Sequence, residues 1–270
     1  MVGNLIDVFK DTVWQYKNNP VLVESCRNTR EKSQLYIEGN DIECERMRFQ
    51  EPAALCVSRK RSFEAAAVYA RQGKKTCVLN FANSFNPGGG VVHGARAQEE
   101  CLCRISTLYD SLVADKMIEG FYDRHNDVMN ELATDDLIYS PYVKVFKSDV
   151  DIPEMLPESQ WFDVDVITCA APDLYSSWDD EVGIPDSELA AIHEKRLRHI
   201  LDAAVANGAE AMILGAFGCG AFGNPPEVVA SVARKVLADY CNAFTDVEFA
   251  VYCSVRDSRN YEVFNKILGN

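Results

Sequence analysis

Long apolar runs are missing from this chain of 270 residues, and histidine is scarce, with four in all. No apolar run approaches the roughly 18 residues that a membrane-spanning helix needs. The N-terminus lacks a basic segment followed by an apolar stretch, so a signal peptide is not expected. The histidines are scattered without metal-ligand spacing, so neither a metal nor another cofactor is expected.

A C-x-x-C motif is also missing, although the chain has ten cysteines. Several of them lie inside apolar runs, as Cys77 does in "TCVLNF" and Cys169 in "VITCAAP". Cysteines in such runs behave as small core residues. The pattern favours reduced thiols in a cytoplasmic protein over a disulfide scaffold or a zinc site.

Basic residues are few outside the N-terminal part of the chain. Residues 1–75 hold 13 Lys/Arg and 10 Asp/Glu, whereas the remainder holds 14 and 31, which gives a net charge of −14. An acidic body argues against broad, non-specific nucleic-acid binding, because that binding relies on a basic surface. If a ligand carries phosphates, backbone N–H groups are expected to hold them.

Apolar segments without polar alternation recur from about residue 62 onward, separated by helical patterns. The segments "TCVLNFA", "VDVITCAA", "AMILGAF" and "VEFAVYCS" predict buried strands of a sheet that is covered on both faces. Ser62 is the expected N-cap of the helix that precedes the first of them. We predict an α/β fold with three α/β/α layers over residues 61–270, and a mainly helical accessory segment over residues 1–60.

Two glycine-rich loops follow two of these strands. The first, "NFANSFNPGGGVVHGARAQEE", contains Gly88, Gly89 and Gly90 and ends in Gln98-Glu99-Glu100, which starts a helix. Glycine lets a ligand approach the backbone closely. Acidic residues in a first helical turn are also common for dipole reasons alone, so this loop by itself does not decide between a site and a turn.

The second loop, "GAFGCGAFGNPP", lies between a strand and a helix. Its glycines and the following helix N-terminus resemble an anion cradle, and no Gly-Lys-Ser/Thr of a P-loop follows. Phe222 in its middle can stack on a flat ring or sugar, or can anchor the loop to the core. In an open α/β sheet both loops are expected at the ligand-binding edge.

At these residues the sequence resembles the microbial-type poly(ADP-ribose) glycohydrolases, which have a macrodomain fold with a mixed sheet. Their signature of three glycines, six to eight residues and Gln-Glu-Glu matches here with seven residues between. The resemblance covers roughly residues 60–270, and the N-terminal segment corresponds to the family's variable helical region. Asn80 stands where some members have aspartate and is left out of the catalytic set.

The resemblance implies a role for each matching residue. Glu100 matches the catalytic acid, Glu99 the neighbour that orients ribose hydroxyls, and Asn83 a contact of the same ribose. The residues expected to bind substrate are Asn83, Gly88, Gly89, Gly90, Gln98, Gly218, Cys219, Gly220, Ala221 and Phe222. Of these, residues 218–221 would wrap the diphosphate and Phe222 would pack on the terminal ribose.

The implied chemistry needs a single carboxylate. Adjacent residues point in different directions, so Glu99 and Glu100 cannot flank one bond as paired glycosidase carboxylates do. Glu100 would protonate the leaving 2′-oxygen and then activate water. The expected substrate is poly(ADP-ribose) or an ADP-ribosylated protein and the product ADP-ribose, with cleavage from the chain terminus because an acidic body repels a long polymer. No membrane or sequence-specific nucleic-acid partner is expected.

Three other functions stay open at the level of sequence. The chain could be a macrodomain that binds ADP-ribose without cleaving it, although Glu99-Glu100 at this spacing argues against that. It could be a hydrolase of single ADP-ribosyl groups on protein or nucleic acid. It could also be an α/β protein of unrelated function, which an absence of ADP-ribose affinity would favour.

Overall fold

One sheet organises the chain in the computed structural model, which describes residues 4–175, 183–253 and 257–269. The strands in these ranges are β1 (Gln34–Tyr36), β2 (Ala54–Ser58), β3 (Thr76–Ala82), β4 (Leu137–Val145), β5 (Phe162–Ala170), β6 (Ala211–Leu214) and β7 (Asp246–Ala250). Their order across the sheet is β1-β4-β5-β3-β6-β7-β2. The four predicted buried strands are observed as β3, β5, β6 and β7.

Helices connect these strands. The α-helices are α1 (Leu5–Asn18), α2 (Pro20–Lys32), α3 (Ser62–Ala70), α4 (Gln98–Ile105), α5 (Leu108–Leu112), α6 (Asp115–Met117), α7 (Asp123–Val128), α8 (Asp186–Ala206), α9 (Pro226–Leu237) and α10 (Arg259–Leu268). Short 3-10 or π-helical turns lie at Val91–His93, Ile118–Tyr122, Glu158–Gln160 and Ala238–Tyr240. No helix in the described ranges combines the length and apolar character of a membrane span.

The strands that precede the glycine-rich loops run in the same direction. β5, β3, β6, β7 and β2 pair in parallel, whereas β4 pairs antiparallel with β5 and β1 antiparallel with β4. The carboxyl ends of five strands therefore meet at one edge of the sheet. The loops that follow β3 and β6 are brought together at this edge, as the sequence predicts.

Apolar side chains cover the sheet on both faces. Along β3, Cys77 and Leu79 point into a core that includes side chains of α8, α9 and α10, and Val78 points into the opposite core, which includes α3, α4 and α5. Successive residues of a strand face opposite sides, so a run that is buried throughout requires helices on both. The predicted three-layer α/β/α fold is confirmed.

The N-terminal 60 residues contribute to this same sheet. Helices α1 and α2 are present as expected, and β1 and β2 pair with β4 and β7. Phe9 of α1 lies in one of the two cores, and Tyr16 and Leu22 form a small cluster with Phe146. The division of the chain at residue 60 stays a prediction about domains, and the sheet crosses that division.

Helix α3 begins at its expected cap, one residue earlier than predicted. Arg61 is the N-cap and Ser62, the predicted cap, is the first helical residue. The carboxylate of Asp149 instead accepts the N–H of Phe63, at 3.2 Å from Oδ2. An acceptor 86 residues away in sequence thus satisfies an N-terminal donor, which a local pattern does not show.

Candidate active site

The first glycine-rich loop starts with a turn around Asn83, directly after β3. Its Oδ1 accepts hydrogen bonds from the N–H groups of Phe85, at 2.9 Å, and Asn86, at 2.8 Å. Gly88 and Gly89 follow with φ angles of 70° and 55°. L side chains rarely adopt such angles, so the loop depends on glycine at these positions.

The carboxylate of Glu100 lies against this loop. Glu100 is in the first turn of α4, and its Oε1 accepts the N–H of Gly90 at 2.8 Å. Its Oε2 is buried and has no hydrogen-bond partner among the described residues. A Cβ on Gly89 would overlap Oε1 of Glu100. The loop therefore fixes one carboxylate oxygen, whereas the other has no hydrogen-bond partner among these residues.

The neighbouring carboxyl of Glu99 is fully enclosed, with 2% of its surface exposed. Oε1 accepts from Nδ2 of Asn80 at 3.1 Å, and Oε2 accepts from the N–H of Asn83 at 2.8 Å. Burial raises the pKa of Glu99 to about 8, although these two hydrogen bonds oppose the shift. Glu99 is therefore mostly protonated at neutral pH, beside the differently oriented Glu100.

The amide of Gln98 joins the start of α4 to the end of β3. Its Oε1 accepts the N–H of Phe81 at 2.9 Å, and its Nε2 donates to the carbonyl of Leu79 at 2.8 Å and to Oγ of Ser62 at 3.0 Å. The side chain thus pairs with strand backbone much as another strand would. These contacts fix the two glutamates that follow it relative to the sheet.

The second glycine-rich loop turns between β6 and α9. Gly218 and Gly223 have φ angles of 76° and 69°, and Gly220 faces open space. The N–H groups of Gly220, Ala221 and Phe222 donate to no group within the described parts of the chain. Unpaired N–H groups ahead of a helix N-terminus are suited to an anion.

Both loops open onto one cavity of about 420 Å³. Its lining comes from the ends of four parallel strands and from α3 and α4. The predicted site residues among the lining are Asn83, Gln98, Glu99, Glu100, Gly218, Gly220, Ala221 and Phe222. The structure therefore brings both loops and both glutamates into one concave site.

Four predicted substrate contacts lie outside this lining. Gly88, Gly89 and Gly90 form the part of the loop that packs against Glu100, and the N–H of Gly90 donates to its carboxylate. Cys219 packs against the core, with Sγ at 3.7 Å from the carbonyl of Phe217. Phe222 packs against the core and also lines the cavity, so its stacking on a ligand stays a prediction.

The residues of the lining that were not predicted include Arg61, Arg96, Asp149, Tyr252 and Asn260. The Arg61 guanidinium stacks over the ring of Tyr252 at 4.1 Å from its centroid. Burial raises the pKa of Asp149 to about 6. Arg61 and Tyr252 closely follow strands β2 and β7. They could have been predicted, because ligands bind beyond the carboxyl ends of strands in an open α/β sheet. Nothing in the local sequence marks Asp149.

Comparisons with known proteins give a consistent result. A family model described as microbial-type PARG, catalytic domain, matches residues 7–148. A poly(ADP-ribose) glycohydrolase (PARG) structure from Thermomonospora curvata is 27% identical, with a TM-score of 0.85, and the alignment covers 98% of this chain and 99% of that chain. One from Deinococcus radiodurans in complex with ADP-ribose is 31% identical, with a TM-score of 0.78, covering 89% of this chain and 95% of that chain. A search of curated protein sequences gave no match.

The family match starts near the N-terminus. It includes most of α1 and all of α2. From the sequence motifs, these two helices were expected to lie in a variable region outside the resemblance. It also contains the Gly-Gly-Gly and Gln-Glu-Glu segments that shape the cavity. With this match, and with the mixed seven-stranded sheet of the described residues, the chain belongs to the microbial-type PARG family.

Proposed function

We propose that this chain hydrolyses the ribose–ribose O-glycosidic bond of poly(ADP-ribose) and releases ADP-ribose, with Glu100 as general acid and base. One observation carries the proposal. Glu100 keeps one buried oxygen without a partner among the described residues, in a cavity that also holds a loop suited to a diphosphate. A carboxyl held on one side only can give or take a proton on the other.

The reaction needs one proton to move in each direction. The protonated Glu100 carboxyl gives its proton to the 2′-oxygen of the leaving unit as the C1″–O bond breaks. The distal ribose becomes oxocarbenium-like, and the diphosphate of the substrate lies near enough to stabilise it. Water then attacks C1″ and gives its proton to the Glu100 carboxylate, which restores the starting state.

Glu99 has a supporting role in this scheme. Its carboxyl is turned towards Asn80 and the N–H of Asn83, so it does not compete with Glu100 for the same proton path. It still lines the cavity. Mostly protonated at neutral pH, it can bind the hydroxyls of the distal ribose without adding a full negative charge beside the cleaved bond.

The rest of the substrate is held by backbone and by two arginines. The free N–H groups of residues 220–222 suit the diphosphate, and Phe222 suits the face of the terminal ribose. The arginines at the cavity are Arg96, which adds local positive charge in a chain of net charge −14, and Arg61, which also pairs with the carboxylate of Asp151. From the sequence, backbone N–H groups alone were expected to bind the phosphates. We propose that these two side chains bind them as well.

We also propose that cleavage starts at the chain terminus. Each polymer unit carries two negative charges, and the strongly acidic body repels a long stretch of it. A cavity of about 420 Å³ is matched to a single terminal unit. Digestion of long, end-labelled polymer separates the two modes, because release of long oligomers at early times would rule out terminal cleavage.

The decisive test compares wild type with Glu100→Gln on poly(ADP-ribose), with ADP-ribose affinity measured on both. Wild type is expected to release ADP-ribose, whereas the variant should bind it within a few-fold and cleave at least about 100-fold more slowly. Glu51→Gln changes an exposed glutamate ahead of β2, at the opposite edge of the sheet, and serves as the control. Binding without cleavage by wild type would indicate a reader or a hydrolase of single ADP-ribosyl groups.

A cytoplasmic location is also part of the proposal. All ten cysteines are free thiols in the structure, including the exposed Cys56 and Cys241. Free thiols persist in reducing compartments. Alkylation of the protein in freshly lysed cells should modify all ten cysteines after denaturation without prior reduction, and protected cysteines would contradict this location.

A further inference from the structure

The side chain of Asn224 is a hub at the end of the second glycine-rich loop. It is buried, with 1% of its surface exposed. Its Nδ2 donates to the carbonyls of Pro172 at 2.7 Å, Gly218 at 3.1 Å and Phe222 at 3.2 Å. Its Oδ1 lies 2.7 Å from Nε2 of His193 on α8. All polar atoms of this side chain are thus engaged with protein groups.

The partners of Asn224 fix which way its amide points. Three carbonyl oxygens accept hydrogen bonds and cannot donate, so Nδ2 must face them. Oδ1 therefore faces His193, which must carry its hydrogen on Nε2. Burial lowers the pKa of His193 to about 4, so the ring is neutral and a single tautomer satisfies the contact. The ring of Phe217 lies edge-on to His193, with ring centroids 6.0 Å apart.

This arrangement draws carbonyl oxygens of the loop away from the cavity. The carbonyls of Gly218 and Phe222 point inward to Asn224, while the N–H groups of residues 220–222 stay unpaired among the described residues. An anion is repelled by carbonyl oxygens and attracted by N–H groups. A loop fixed in this orientation binds an anion without first having to reorganise.

The same side chain ties two loops together. Pro172 follows β5, and the N–H of Leu174 in that segment donates to the carbonyl of Phe222 at 3.0 Å. Asn224 adds its bond to Pro172 at 2.7 Å. The loop after β6 is therefore braced from α8 on one side and from the loop after β5 on the other.

We infer that His193 and Asn224 are positioning residues that preset residues 218–222 to bind the diphosphate of a nucleoside-diphosphate sugar. Neither residue lines the cavity, so they act through the loop and not by touching the ligand. This inference rests on the proposed function, because it assumes that the cavity takes ADP-ribose.

Asn224→Asp tests the role of the Asn224 hydrogen bonds with little change in the shape of the side chain. The carboxylate cannot donate to the three carbonyls, so ADP-ribose affinity should fall by about 10- to 100-fold, the cost of leaving buried acceptors unpaired. KM for polymer should rise by more than kcat falls, since the loop binds but does not move the proton. Asn242→Asp is the matched control, because Asn242 also donates to two carbonyls, of Phe49 and Gln50, at the opposite edge of the sheet. Its ADP-ribose affinity should equal that of wild type.

A second pair of variants covers a failure of Asn224→Asp to fold. His193→Leu removes the donor to Oδ1 of Asn224 and should weaken ADP-ribose binding several-fold. His193→Gln keeps a donor near the same place and should recover most of that loss. Thermal unfolding of all variants shows whether a change in affinity follows from lost stability.

The outcomes separate this inference from the proposed function. If wild type binds no ADP-ribose, the proposed function itself is wrong. If wild type binds and cleaves, and Asn224→Asp and both His193 variants keep wild-type affinity, the positioning role is wrong. A lower kcat with unchanged KM and affinity would also overturn it, because the residues would then act on the chemical step.

Discussion

The backbone N–H of Gly90 donates to Oε1 of Glu100 at 2.8 Å, so the glycine segment holds the carboxyl that we propose as the general acid directly. Gly89 and Gly90 therefore position this carboxyl, and contact of the three glycines with substrate stays a prediction. This relationship explains why two segments separated in sequence are needed together. It also makes the loop as sensitive to substitution as the glutamate itself.

Gly89→Ala should reduce cleavage strongly. The added Cβ would overlap Oε1 of Glu100, and Gly89 already has a φ of 55°. We expect kcat to fall by at least about 100-fold, as for a displaced general acid. Gly73→Ala is the control, because Gly73 also has a positive φ, 82°, but has nothing within 4 Å of the new Cβ. Equal kinetics of the two variants would show that the glycine loop does not position Glu100.

Glu99 should make stability fall as pH rises. Its pKa is raised from 4.5 in the unfolded chain to about 8, so between these values the folded chain keeps a proton that the unfolded chain loses. The free energy of unfolding should therefore decrease across this window by up to about 1.4 kcal/mol per pH unit from this group. Glu99→Gln has no such titration.

The measurement is denaturant unfolding of wild type and Glu99→Gln between pH 5 and 9. Relative to wild type, the variant should gain stability steadily up to about pH 8 and then level off. Parallel curves over the whole range would mean that Glu99 does not keep its proton in the folded chain.

Phe222 should contribute both to binding and to loop packing. Phe222→Ala removes the ring that lines the cavity and packs against the core, and we expect ADP-ribose affinity to fall about tenfold, as for loss of a buried aromatic contact. Phe222→Leu keeps apolar bulk without a flat face. If calorimetric titration gives both variants wild-type affinity, the ring does not meet the ligand.

The N-terminal helices should be inseparable from the core. Phe9 on α1 is 5% exposed and packs edge-on to Tyr109 with ring centroids 5.0 Å apart. Phe9→Ala should cost about 3–5 kcal/mol of stability. Trp14 on the same helix is 60% exposed, and Trp14→Ala should change stability by less than about 0.5 kcal/mol. If urea unfolding shows a similarly small loss of stability for both variants, the N-terminal helices are instead a separable accessory segment.

The strands and the two loops could be predicted because their signals are local. The run from Thr76 to Ala82 is apolar and is found as β3 over those residues. Gly88, Gly89 and Gly218 mark positive φ angles, which other residues rarely adopt. The meeting of both loops at one edge then follows from parallel strand order, without any knowledge of side-chain contacts.

Contacts between distant segments could not be predicted in this way. Asp149 reaches the cavity and the N-terminus of α3 from a segment that precedes β5. The side chain of Cys219, a predicted substrate contact, packs against the core, and a contact of its backbone with substrate stays a prediction. Gln98 lines the cavity, yet its amide is engaged with β3 and Ser62. The direction of a side chain in a turn depends on the backbone conformation of that turn, and residue types alone do not specify it.

The pairing of β2 with β7 has a consequence for how the chain folds during synthesis. Ser58 and Glu248, joined by a hydrogen bond of 2.5 Å, are 190 residues apart. Strand β2 leaves the ribosome early and finds its partner only when almost the whole chain has been made. Arg61 and Tyr252, which stack at the cavity, meet at that same late step. The cavity of a nascent chain is therefore incomplete until strand β7 is in place.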